Sequence, residues 1–121
     1  MQSLTGFGDI MDKAIVNYMK ENLGLDDMNT IQELYNEYLS TIKERLPSAR
    51  NALEEKDFQA LAKIAHAMKG CALNIGHEHF AAVAKELEYL GKGMGPEPPA
   101  MENCSSLLSK LNAIFEEFQK A

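Results

Sequence analysis

The sequence predicts an all-α protein, an up-down-up-down four-helix bundle with an additional short N-terminal helix. Three observations predict it. Apolar residues recur at steps of three and four along most of the chain, and no stretch alternates as a half-buried strand would. The interruptions between these segments are mostly short, which favours antiparallel neighbours. The 121 residues are 45% hydrophobic and 25% charged, enough for one core in one domain without disulfides or a structural metal.

The first helix is expected over about residues 9–23, with Ile10, Met11, Ala14, Ile15, Tyr18 and Met19 in phase and Gly24 as a left-handed stop. Being shorter than the rest, it is placed over one end or edge of the bundle. The second runs from about Met28 to Glu55, with Ile31, Leu34, Tyr35, Tyr38, Ile42, Ala49 and Leu53 on one stripe. Pro47 removes a backbone donor there and predicts a kink or a local break. Asp57 reads as the N-cap of a third helix over 58–75, whose stripe is Phe58, Leu61, Ile64, Ala65, Met68, Ala72 and Ile75. Gly76 ends it. The fourth, about 78–91, aligns Phe80, Val83, Ala84, Leu87 and Leu90. GKGMGPEPP at 91–99 is the one clear loop. The last helix, 100–120, carries Met101, Cys104, Leu107, Leu108, Leu111, Ile114, Phe115 and Phe118. No repeat, low-complexity tract or linker divides the chain, so 1–121 reads as a single domain. The initial Met and the complete set of helices favour a free-standing protein.

Composition excludes several classes. No apolar run approaches the roughly 18 residues of a membrane span, and the N-terminus has no basic segment leading into an apolar one. A net charge of −6 argues against a binder of nucleic-acid phosphates. Cys71 and Cys104 lie in helical segments and read as buried free thiols of a cytoplasmic protein. There is no Gly-rich phosphate loop, nucleophile elbow, HExxH or CxxC. A di-metal bundle needs Glu-x-x-His pairs, but Lys63, Asn74 and Gly76 precede the three histidines by three positions. His77 and His79 face different directions at a helix start, so they read as polar residues on the surface rather than as a metal site with Cys71.

His66 is more informative. At about 100° per residue, Leu61, Ala65, Met68 and Ala72 define the buried direction of the third helix, and His66 points roughly 140° away from it. Its companions on the outward face are Gln59, Ala62, Lys63, Lys69, Gly70 and Leu73, with no carboxylate among them. An exposed imidazole without an acid on its own helix face is expected to be largely neutral and available as a nucleophile. Lys63 and Lys69 would offset the charge of an anionic phosphoryl group. Gly70 leaves room for a partner's close approach, and Ala62 and Leu73 sit at the margin of a docking patch. An exposed helical histidine is in most proteins only a polar surface residue, and the wheel alone does not decide between the two.

The stretch AHAMKGCALNIG, residues 65–76, resembles the His-x-x-Lys-Gly signature of histidine phosphotransfer (HPt) domains, whose downstream glycine falls on Gly76. FAAVAKELE, residues 80–88, is similar to the family's next helix, ending in the pair Leu87 and Glu88. ALEEKDFQALAKIAH, residues 52–66, resembles the acidic turn before the phosphorylated helix. The resemblance covers roughly residues 28–93, with Met68 where the family often has Leu and Cys71 where it often has a small residue.

It implies that His66 is phosphorylated on a ring nitrogen by a phospho-aspartyl receiver domain, commonly within a hybrid histidine kinase. The group then passes to an aspartate in the receiver of a response regulator. Lys69, as the lysine of the motif, is implied as the charge partner; Gln59, Ala62, Lys63, Gly70 and Leu73, the companions of His66 on the outward helix face, are the expected docking positions. The chain would be a monomeric phosphocarrier rather than an enzyme, with no cofactor or metal of its own. Mg²⁺ would belong to the receiver. Two other readings stand beside this one: an HPt-like module that docks receivers without transferring phosphate, and a cofactor- or metal-binding bundle.

Gly70→Ala is expected to stabilise the fold by about 0.5–1 kcal/mol, as for an exposed helical glycine. Gly70→Gln is expected to keep the melting temperature while sharply slowing phosphotransfer, because its side chain projects beside His66. Melting temperature and transfer rate measured on the same protein check both.

Overall fold

The computed structural model describes residues 13–24, 27–93 and 101–120. Five helices fill them: α1 (Lys13–Leu23), α2 (Met28–Glu54), α3 (Phe58–Ile75), α4 (Glu78–Gly91) and α5 (Met101–Lys120). No strand occurs among the described residues. The expected start of the first helix at residue 9 and the body of the 91–99 loop lie outside them.

Local chemistry sets the boundaries. Asp27 caps α2, its carboxylate accepting from Asn29 N–H at 3.0 Å and from the Thr30 hydroxyl at 3.2 Å. Asp57 caps α3, accepting from Ala60 N–H at 3.1 Å. α2 runs unbroken through Pro47, so of the expected kink or local break the break does not form. Pro47 is exposed, so its ring and the backbone around it face water rather than the core.

α2 and α4 each pack on both α3 and α5, which closes a ring of four. Contacts between helix ends give the directions. Arg50, late in α2, donates to the Ser105 hydroxyl, early in α5, at 3.1 Å. At the other end Tyr35 meets Phe118 with ring centroids 5.5 Å apart. Phe80, early in α4, lies 6.4 Å from Phe115, late in α5. Both α2 and α4 therefore run against α5, and short connectors return the chain through α3 between them. The centre is filled by Met19, Ile31, Ile42, Leu61, Met68, Phe80, Leu87, Cys104, Leu108 and Leu111, all essentially excluded from solvent. Both cysteines are free; Cys104 is buried, which pushes its thiol pKa up, and Cys71 is half-buried.

The corner between α3 and α4 differs from the sequence expectation. His77 is buried rather than a surface polar residue. Its Nδ1 lies 2.8 Å from the Tyr38 hydroxyl, and its ring stacks on Phe118 at 4.0 Å. Burial also holds the Tyr38 phenol well above its ordinary pKa. Sequence neighbours Glu78 and His79 are exposed, but the corner turns His77 inward.

Gly76 makes that turn with φ 81°, while His77 N–H bonds Ala72 C=O across it at 2.9 Å. The missing side chain also makes room for α1. A methyl group at Gly76 would lie 2.6 Å from the Tyr18 ring, whose hydroxyl donates to Leu73 C=O at 2.9 Å. Gly24, with φ 67°, has nothing within 4 Å of the same position. Gly76→Ala is therefore expected to cost about 2–3 kcal/mol and Gly24→Ala only about 1 kcal/mol, measured by chemical denaturation. Equal losses would mean that the Tyr18 contact contributes nothing.

Candidate functional site

α3 carries His66 outward: its side chain is 65% exposed, one turn from Lys69 and beside Gly70. Gln59, Lys63, Gly70 and Leu73 are exposed on the same helix. A methyl group at Gly70 would meet nothing within 4 Å. Ala62 is a correction. It is buried, and forms the floor rather than the margin of an open groove beside His66. Gln59, Lys63 and His66 line the groove from α3, and Glu88, Gly91 and Lys92 from the end of α4.

α3 itself holds no carboxylate beside His66, but the neighbouring helix supplies one. Glu88 reaches across from α4, 22 residues away in sequence, and places Oε2 at 2.9 Å from His66 Nδ1. Its Oε1 accepts from Lys69 Nζ at 2.9 Å, and Lys92 Nζ lies 2.9 Å from Oε2. The Glu88 side chain is only 7% exposed, so it exchanges water for these three nitrogens. Lys92 does most to hold its carboxyl down, to about 2 from an ordinary 4.5. Burial opposes the shift, and Lys69 and His66 assist it.

An ionised carboxylate only accepts hydrogen bonds, so the proton between Glu88 and His66 sits on Nδ1. The lone pair of a neutral His66 is then on Nε2. The two lysines more than balance Glu88, leaving the cluster with a net positive charge inside a chain of net −6. The arrangement offers a nucleophilic nitrogen, a counter-charge behind the ring, and cations close by.

The sequence singles out His66 and Lys69 but not Glu88 and Lys92, which the structure brings into the same cluster. The available signals were the Leu87-Glu88 pair and the i,i+4 spacing of Glu88 and Lys92 on one helix face. Among the described residues, no group of three or more His, Cys, Asp and Glu is placed to hold a metal ion.

The helical bundle thus holds an exposed histidine against a buried carboxylate, at the edge of an open groove. The family model described as Hpt domain matches residues 33–121, and the chain belongs to that family. Hpt domains are phosphocarrier modules of two-component phosphorelays and interact with receiver domains. The match takes in α5, beyond the reach of the sequence resemblance, and leaves out α1. No curated protein and no solved structure matches the chain. No helix among the described residues is long and apolar enough to cross a membrane.

Glu88 has a lower pKa folded than unfolded, so its contribution to stability is complete above about pH 4.5 and is lost as pH falls toward 2. Denaturation of the wild type and of Glu88→Gln across that range is expected to show a difference that shrinks with acidification, by up to about 3 kcal/mol. A constant difference would mean that the carboxylate charge plays no part.

Proposed function

We propose that the chain relays a phosphoryl group between receiver-domain aspartates through a phosphohistidine at His66, in a multistep phosphorelay. The observation that carries this reading is the 2.9 Å bond from His66 Nδ1–H to buried Glu88, which leaves the Nε2 lone pair for attack. In the forward step Nε2 attacks the phosphorus of a receiver's aspartyl phosphate. The P–O bond to that aspartate breaks, and its electron pair stays on the aspartate carboxylate. No proton needs to leave the ring. His66 becomes an N-phosphorylated cation that keeps its Nδ1 proton, and Glu88 opposes the new positive charge. Transfer onward reverses the bond changes at the aspartate of a second receiver.

Lys69 acts as the charge partner, holding Glu88 in the resting state and offsetting phosphoryl oxygens during transfer. Lys63 carries no ion pair among the described residues and belongs to the docking face with Gln59, Gly70 and Leu73, while Ala62 supports it from below. The partners are receivers of a hybrid histidine kinase and of a response regulator, met by a monomer in the cytoplasm. The transfer chemistry would draw on Mg²⁺ and an acidic pocket in the receiver, and a positive face suits that pocket.

Incubation with phosphorylated receiver domains is expected to move acid-labile label onto wild type and none onto His66→Gln. Lys69→Ala should stay folded and accept label roughly tenfold more slowly, the size of one lost charge-assisted hydrogen bond. A His66→Gln variant that binds receivers while wild type never takes label would favour a docking module without transfer.

A further inference from the structure

Gly91 is the last residue of α4 and is buried against the first turns of α3. Its φ is not positive, unlike those of Gly24, Gly76 and Gly93, so its backbone would accept any L-residue. Helix propensity even favours alanine there. What excludes a side chain is the neighbouring helix. A methyl group on Gly91 would lie 3.1 Å from Ala62 Cβ, 3.1 Å from Phe58 O and 3.2 Å from Ala62 Cα. Two of those three atoms are backbone, and the third is a methyl with no torsion to turn away. α3 and α4 therefore touch through a glycine and an alanine, and an added methyl requires α3 to give by a few tenths of an ångström.

This contact sits one turn from the reacting centre on both helices. Glu88 precedes Gly91 by three residues and faces the same helix, Lys92 follows it directly, and Ala62 precedes His66 by four. At a rise of about 1.5 Å per residue the contact is within about 6 Å of the His66–Glu88 bond along either axis. We propose that Gly91, seated on Ala62, is a positioning residue. It sets the α3–α4 separation that lets Glu88 reach His66 Nδ1 and Lys69 Nζ at 2.9 Å. A shift of a few tenths of an ångström carries those bonds toward the upper limit of about 3.2 Å for a good N–H···O bond. The inference rests on the reading of His66 as the phosphoacceptor, and its primary readout is separate from phosphotransfer.

The test is nitrogen NMR of the His66 ring in the intact chain at a pH where it is neutral, with label transfer from a phosphorylated receiver measured alongside. Wild type is expected to hold its proton on Nδ1. Gly91→Ala is expected to stay helical by circular dichroism, lose part of that Nδ1–H population and accept label about three- to tenfold more slowly. Ala62→Gly added to Gly91→Ala removes the facing methyl and is expected to recover part of both losses. If Gly91→Ala does not fold, Ala62→Ser approaches the same contact from α3 and is expected to shift the ring proton in the same way. A Gly91→Ala ring indistinguishable from wild type overturns the proposal, whether or not transfer slows. A shifted ring proton in a chain that never accepts label, wild type included, supports the positioning role and removes the phosphotransfer reading instead.

Discussion

A carboxylate withdrawn from water must find partners, and Glu88 has three nitrogens at 2.9 Å. None of its partners is itself deeply buried: His66 and Lys92 reach in from solvent, and Lys69 is partly covered. Pairs between exposed charges contribute little to stability, but a buried carboxylate stripped of its cations costs several kcal/mol. The ion pairs therefore matter less as fasteners than as the condition on which Glu88 can stay ionised inside the bundle. Its ionised state in turn fixes the His66 proton on Nδ1. On the proposed reading, the reactivity of an exposed nitrogen thus depends on a side chain that solvent hardly reaches.

Holding that carboxylate in place is a task for the whole ring of helices. Glu88 and His66 lie on different helices, so their bond is only as well defined as the packing of α3 on α4. One end of that pair is fixed at the corner, where Gly76 turns the chain and His77 is locked against Tyr38 and Phe118 from α2 and α5. The other end is the Gly91–Ala62 contact, where an added methyl would lie 3.1 Å from Ala62 Cβ. Between these two ends the buried stripe of α4, including Phe80, Val83, Ala84 and Leu87, leaves α4 little freedom to slide or rotate. The outward face is by contrast open at Gly70, so rigidity and access are divided between the two sides of α3.

The helices were legible because amphipathic periodicity is a local signal and this core follows it closely. Asp57 as a cap and Gly76 as a stop were equally local, each being a residue type whose chemistry fits one position in a turn. His66 was legible for the opposite reason, a polar group placed against its helix's buried direction and set in a recognisable signature. Glu88 was not legible as its partner, since a helical wheel sees one helix and this bond spans 22 residues. His77 misled through its neighbours: followed by exposed Glu78 and His79, it reads as surface until the corner turns it onto Phe118. Ala62 misled because an alanine at the edge of a wheel is open or buried according to what packs beside it, here Gly91. Each of these misses is a contact between elements, where sequence periodicity is silent.

The central claim is that Glu88 keeps the proton on Nδ1 of His66 and so directs chemistry to Nε2. It is tested most directly by the position of the phosphoryl group in the phosphorylated chain, read from nitrogen and phosphorus NMR of the His66 ring. The account predicts phosphate on Nε2 with the Nδ1 proton retained. Phosphate on Nδ1 would require the bond to Glu88 to be broken before transfer, and would contradict it.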